Sequence, residues 1–212
     1  MTQPVANCPN CGAKIVFQWP SSVQTVCTYC QSILVRSDVD VKKVGQVADL
    51  PPDSSPIQLN TEGVYKNKAF VVAGRILYEY EQGGWNEWHI VFPDGMSGWL
   101  SDAQLQYAVS FLVPGIALPA ENQVFRGKQF NFANINFEVS TMTTAAYKGV
   151  QGELPFPFYG KTNMLFADLR THDNDFATLD YSDQSSPMLF IGKTVPFEAL
   201  QLQNLRQFEG WS

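Results

Sequence analysis

Two Cys-x-x-Cys pairs, Cys8-Pro-Asn-Cys11 and Cys27-Thr-Tyr-Cys30, constrain this chain more than any other feature. Fifteen residues separate them, inside the spacing of roughly 15–20 that lets two such turns share one zinc ion. Two intervening residues let a tight turn aim both thiolates at one point, and two turns complete a tetrahedral four-sulfur shell. Gly12, directly after Cys11, suits the left-handed backbone that such a turn needs, whereas Gln31 stands at the matching place after Cys30. The competing readings are two disulfides or a redox Cys-x-x-Cys. Residues Met1–Asn7 lack the cationic start and apolar core of a secretory signal, which disfavours disulfides. A redox pair belongs at a helix start beside a βαβ unit, and no such pattern flanks either pair. A shell made of Cys8, Cys11, Cys27 and Cys30 leaves no open position, so the expected Zn2+ is structural.

Charge marks the same boundary. Lys14 and Arg36 are the only charged side chains in residues 1–36, so the remainder carries 12 basic and 20 acidic residues. The whole chain of 212 residues has a net charge of −6, which argues against broad nucleic-acid binding. Aromatic residues make up 13%, too many for a disordered chain. The expected organisation is a zinc ribbon over 1–36, a linker or strap over 37–60 and a β-rich domain over 61–212. The Pro- and Ser-dense run Asp49–Pro56 identifies the linker.

From Thr61 onward, alternating β-branched and aromatic runs are punctuated by Gly and Pro every 8–12 residues. That pattern predicts a mainly β body of one or two small antiparallel, barrel-like modules, with submodules at 61–113 and 114–212. Gly63–Val72 and Gly127–Phe137 form a weak internal echo, each preceding a long strand. Pro196–Leu205 is the best helix candidate. No run approaches the eighteen or so apolar residues of a spanning helix, and the expected location is cytoplasmic.

The order of short motifs is similar to a known family. After the cysteines come Gly74-Arg-Ile-Leu-Tyr-Glu-Tyr80, Trp85-Asn-Glu-Trp88, Gly98-Trp-Leu-Ser101, Val150-Gln-Gly-Glu-Leu-Pro155 and Met188-Leu-Phe-Ile-Gly-Lys193. Over residues 5–195 this resembles a bacterial domain family of unknown function, β-rich and often preceded by a four-cysteine zinc ribbon. The resemblance carries no catalytic residues. It implies an adaptor in membrane stress, with a membrane-associated protein partner and a place at the periphery of the inner membrane.

Catalytic constellations are hard to assemble. The cysteines are committed to metal, and the chain has two histidines. His89 lies within a strand pattern, most simply as a packed residue. Asp168, His172 and Asp173 offer carboxylates and an imidazole around a polar loop, without the ligand spacing of a calcium loop. Glu153, between Gly152 and Leu154-Pro155, reads as part of a turn. No phosphate-binding glycine motif is present. Tyr78, Tyr80, Trp85, Trp88 and Trp99 are the candidate partner-binding residues, as an aromatic groove for an extended peptide. The competing reading is a barrel core. Trp85 and Trp88 fall on opposite faces of a regular strand. Nearby Glu79, Glu81 and Glu87 suit a basic or amine-bearing partner. The leading expectation is therefore a non-enzymatic binding or scaffold protein. A nucleic-acid- or ribosome-associated ribbon and a small-molecule hydrolase using Asp168, His172 and Asp173 are the rivals.

Overall fold

The computed structural model describes residues 5–37, 40–47, 50 and 54–208. Part of the expected linker, residues 38, 39, 48, 49 and 51–53, lies outside the described residues. Strands dominate and no α-helix occurs among the described residues. The candidate helix at Pro196–Leu205 is instead one 3-10 turn, Phe197–Leu200, capped by Gln201 in the left-handed region. Pro196 fixes its start, and the following residues are pinned outside it. Gln203 N donates to Glu62 O, and Arg206 N donates to Pro56 O.

The ribbon comprises β1 (Val5–Asn7) paired with β2 (Lys14–Val16), then β3 (Gln24–Val26), β4 (Ser32–Ser37) and β5 (Asp40–Gln46). Ordered sheet therefore continues past residue 36, because β5 pairs along β4. The body begins with β6 (Glu62–Tyr65), β7 (Lys68–Tyr80), β8 (Gly83–Val91), β9 (Ser97–Ala103) and β10 (Gln106–Leu112). It continues with β11 (Gln129–Phe132), β12 (Ile135–Leu154), β13 (Met164–Arg170), β14 (Asp175–Asp180) and β15 (Met188–Val195).

Strands β7–β10 and β12–β15 pair in two antiparallel meanders, which join through β10–β15 and β12–β7. The result is one closed barrel of eight strands. The two expected submodules thus contribute four strands each to a single wall. The sequence echo corresponds to a repeated plan. In each half a short strand turns through two left-handed residues, Lys66-Asn67 or Ala133-Asn134, into a long strand. Each long strand bulges at its sixth residue, Ala73 or Ser140. A bulge bends a strand and raises its twist, and two bends in matching places help the sheet curl onto itself. At the β10–β15 seam the strands approach so closely that a Cβ on Gly192 would fall 1.8 Å from Val109 O.

Alternation gives the wall two packed faces. One exterior half buries Val72, Trp88, Ile90, Leu100 and Val109 against Ile57 of the strap and Leu200 of the C-terminal turn. Ser55 Oγ anchors that strap by donating to Asp102 Oδ2 at 2.5 Å. The other exterior half buries Val139, Leu169, Ala177 and Leu189 beneath Val124 and Phe132. Both outer faces are largely apolar and covered, with Arg75, Asn86 and Asp102 buried among them beside Trp88.

Strand β12 continues beyond the barrel and pairs with β3 through Glu153↔Thr25 and Leu154↔Gln24. Glu153, expected in a turn, is a buried latch between ribbon and barrel: it accepts from Gln18 N at 2.7 Å and from Trp19 N at 3.2 Å. Glu153→Gln replaces one acceptor oxygen by an amide nitrogen facing an N–H donor. The expected cost is about 1–3 kcal/mol, felt at the ribbon. Faster hydrogen exchange at Gln18 and Trp19, with barrel amides unchanged, is the result to look for; unchanged exchange at both would remove the latch.

Candidate functional site

The four cysteines converge. Their Sγ atoms all lie within 4.8 Å of one another, with Cys8–Cys30 and Cys11–Cys27 at 3.7 Å. Each knuckle closes in the same way. Gly12 N donates to Cys8 O at 2.8 Å, and Gln31 N donates to Cys27 O at 2.9 Å. Both residues are left-handed, at φ 75° and 57°, so Gln31 does at the second knuckle what Gly12 does at the first. Cys8 and Cys27 are buried with Ile15, Phe17 and Leu34, and Cys11 is exposed. Four convergent sulfurs on two knuckles are compatible with a metal ion and leave it no open position.

The second site is the barrel lumen. Two connected spaces of about 280 and 40 Å3 lie within the wall, meeting at Glu87, Ser101, Phe166 and Thr178. An eight-stranded barrel is just wide enough to be filled by side chains or to hold one small ligand. Here the end nearer the ribbon is filled by Trp99, Phe156, Phe158 and Phe190. The larger space reaches the opposite end, at the β7–β8 and β9–β10 hairpins, where Gln104 Nε2 donates to Tyr80 Oη at 3.1 Å.

Three carboxylates line this interior. Glu87 on β8 accepts from Trp85 Nε1 at 3.0 Å and from Ser101 Oγ at 2.9 and 2.8 Å. Asp168 on β13 accepts from Thr178 Oγ1 at 2.9 Å. Asp180 on β14 accepts from Ser182 N at 2.7 Å. Burial pushes all three upward, and Asp168 and Asp180 add like-charge repulsion at Glu87, which rises to about 8. Arg170 holds Asp168 down in part, and Lys161 does so for Asp180. At Glu87 the charges that act most strongly are both acidic. Below it on the same face of β8, His89 is fully buried. Its Nδ1 meets Glu153 O at 2.9 Å and its ring lies 5.4 Å from Trp99. Burial lowers the imidazole to about 4, and Nε2 has no partner.

These raised carboxyls predict a stability that falls with pH. Glu87 keeps its proton in the folded state up to about 8 but loses it near 4.5 when unfolded. Between those values the folded chain binds the extra proton, so stability is highest below the window and lost as pH rises through it. Asp168 and Asp180 act with the same sign. The urea midpoint of the wild type should drop from about pH 5 to pH 9, and Glu87→Gln should flatten that slope. Equal slopes would place Glu87 in a more hydrated setting.

The residues expected to form an exposed aromatic groove do not do so. Alternation divides them. Tyr78, Tyr80, Trp85 and Trp99 belong to the interior cluster, whereas Trp88 is 0% exposed beneath the strap. Trp85 stacks on Tyr78 at 4.7 Å and meets Phe166 edge-on at 5.6 Å. Trp85 and Trp88 do face opposite ways, but the outward-facing one is covered. The expected trio is also split. Asp168 faces the lumen, while His172 and Asp173 are exposed in the β13–β14 turn, organised by Thr171 Oγ1 accepting from Asp173 N and Asp175 N. Asp180, Ser101 and Thr178 were not singled out from sequence. The signal lay in β14, where Thr178 and Asp180 share one parity and Ala177 and Leu179 the other.

The model of a domain of unknown function, DUF4178, matches residues 58–197, the greater part of the chain. The chain belongs to this family. In the DUF4178 domain the match runs from the strap through all eight barrel strands to the 3-10 turn, and the cysteine cluster precedes it. No curated protein matches the chain, and no solved structure does. Among the described residues, no helix is long and apolar enough to cross a membrane.

Proposed function

We propose that this protein is a non-enzymatic binding protein: a structural zinc ribbon latched to a barrel whose lumen holds a small ligand. The observation that carries the reading is the lumen itself. It sets carboxylates and hydroxyls beside aromatic rings, reaches one end of the barrel and lies inside walls whose outer faces are largely covered. The four-sulfur cluster supports zinc as the metal, because soft thiolates in a closed shell suit it and leave no place for a substrate. The adaptor role and cytoplasmic, membrane-peripheral location implied by the family resemblance fit such a receptor, with ligand state read out by a protein partner.

Native mass spectrometry of the gently purified full-length chain tests both parts. One zinc per chain and a small molecule released on denaturation are the expected results. A lumen-filling Thr178→Phe variant that folds should lose the small molecule and keep the zinc. An identical small-molecule complement in both proteins would end the lumen reading, and a zinc-free ribbon would end the metal assignment. Nucleic-acid binding by the ribbon has less support: of its four cations, Arg36 lies 5.0 Å from the Phe17 ring centroid and Lys43 Nζ donates to Asn10 Oδ1 at 2.9 Å.

A further inference from the structure

We propose that the barrel lumen binds a small organic cation bearing an ammonium group, with Glu87 as its principal counter-charge and the Trp85–Tyr80–Phe166 corner against its hydrocarbon part. The inference rests on the lumen being a binding site and specifies what it binds.

Size comes first. A space of about 280 Å3 sits at the low end of the roughly 300–1,000 Å3 usual for small-molecule sites. A long lipid chain or a peptide of several residues exceeds that volume, and a metabolite of a few carbons fits it. Charge comes next. Three carboxylates face the interior, and the cations near them are at its two ends. Arg170 at the hairpin end lies 5.4 Å from the Phe176 ring centroid and donates to Gln106 Oε1 at 3.4 Å. Lys161 at the ribbon end lies 5.4 Å from the Phe158 ring centroid and donates to Ser182 O at 3.4 Å. Between them Glu87 is held in one orientation by Trp85 and Ser101, and the charges that act on it most strongly are the carboxylates Asp168 and Asp180. A bound anion would hold Glu87 in its protonated form, whereas a bound cation favours the carboxylate.

A bare metal ion is the competing cation, and the geometry disfavours it. Among the described residues, the cysteine cluster is the one group of three or more His, Cys, Asp or Glu ligands close enough to share an ion. Glu87, Asp168 and Asp180 are spread along the lumen on β8, β13 and β14, an arrangement that suits an organic cation of some length. The aromatic corner points the same way. Tyr80 and Trp85 meet at 5.6 Å and 67°, and Trp85 and Phe166 at 5.6 Å and 88°. Ring faces set at right angles can flank both an ammonium group and the methylenes beside it. A separate, buried polar atom without a partner, His89 Nε2, lies on the same β8 face. Because Nδ1–H donates to Glu153 O, the neutral imidazole offers Nε2 as an acceptor that protein atoms leave unused.

The chemistry predicts a coupled proton. Glu87 is protonated in the empty barrel near neutral pH, and a bound ammonium ion favours the carboxylate, so binding releases the proton to solvent. Isothermal titration calorimetry of the full-length protein with n-butylammonium, 1-butanol and butyrate reads this out. In buffers of different ionisation enthalpy, the expected result is binding of the ammonium ion alone. Proton release should accompany it, and affinity should rise from about pH 6 to about pH 9. Glu87→Gln should weaken it by at least about tenfold and abolish the proton release. If that variant fails to fold, Asp168→Asn is the second test, with a smaller loss expected. Binding of 1-butanol or butyrate as tight as that of the ammonium ion would overturn the cation assignment and leave the lumen a ligand site. No binding of n-butylammonium up to about 10 mM, with a small molecule still released from the native protein, would also overturn it. No binding of any probe and no released molecule would sink the lumen reading together with it.

Discussion

Cys27→Ser is expected to abolish metal binding and unfold the ribbon while the barrel stays folded. Cys27 is 0% exposed, and its Sγ is one of four that no other group can replace. The ribbon's own core is Ile15, Phe17 and Leu34 together with the cysteines, too little apolar surface to hold some 35 residues together. Metal ligation in such modules contributes on the order of 10 kcal/mol to folding. Without it, three unsatisfied thiols and one hydroxyl converge on a point that nothing fills. The ribbon is also attached to the barrel by the β3–β12 pairing, the Glu153 latch, the reciprocal Gln24–Phe158 hydrogen bonds and Ile33, which packs with the barrel's lower interior. The barrel closes through β10–β15 and β12–β7 without any ribbon strand. Hydrogen exchange should therefore show protection lost in β1–β5 and kept in β7–β10 and β12–β15. Chelation of the wild type should reproduce the same map. A single cooperative loss of all protection would mean that ribbon and barrel fold as one unit, contrary to this account.

Trp88→Ala is expected to be the most damaging single change in the barrel, at about 3–5 kcal/mol. The side chain is completely buried between the wall and the strap, in the cluster that contains Ile57, Tyr65, Phe70 and Leu200. It also lies 4.9 Å from the Arg75 guanidinium, and its Nε1 donates to Asp102 Oδ2 at 3.5 Å. That carboxylate is the one that holds Ser55 of the strap. Truncation thus leaves a large cavity, strips a buried cation of its aromatic face and loosens the strap together. The urea midpoint should fall sharply with the ribbon's metal content unchanged. A loss under about 1 kcal/mol would mean that the strap collapses into the cavity. Trp85→Ala is a useful contrast, because its ring borders an existing space in the lumen and its removal enlarges that space.

The contrast between these two tryptophans shows what could be read in advance. The spacing of three puts them on opposite faces of β8, and that much needs only the two-residue period of a strand. Which face is inside a barrel and which lies under a strap depends on segments far away in the chain. Ile57 comes from upstream and Leu200 from far downstream. The aromatic cluster therefore looked like one surface and is two. Asp168, His172 and Asp173 failed as a set for a related reason. Proximity in sequence holds across a strand end, but the inward-facing Asp168 of β13 and the exposed turn after Arg170 occupy different environments.

The amino-acid sequence alone determined the metal site and the β character of the body. Both are local. A Cys-x-x-Cys turn aims its sulfurs by its own backbone, with Gly12 and Gln31 in the same left-handed conformation. Strand runs between Gly and Pro punctuation declare their type within a few residues. Tertiary structure decided the rest. Two meanders of similar plan could have closed separately, and the pairings β10–β15 and β12–β7 made them one barrel. Closure then gave an inside to a pattern that had two equivalent faces. Three carboxylates distant in sequence came to face one lumen, and burial there, a property of the assembled wall and of no single strand, raised them above their ordinary values.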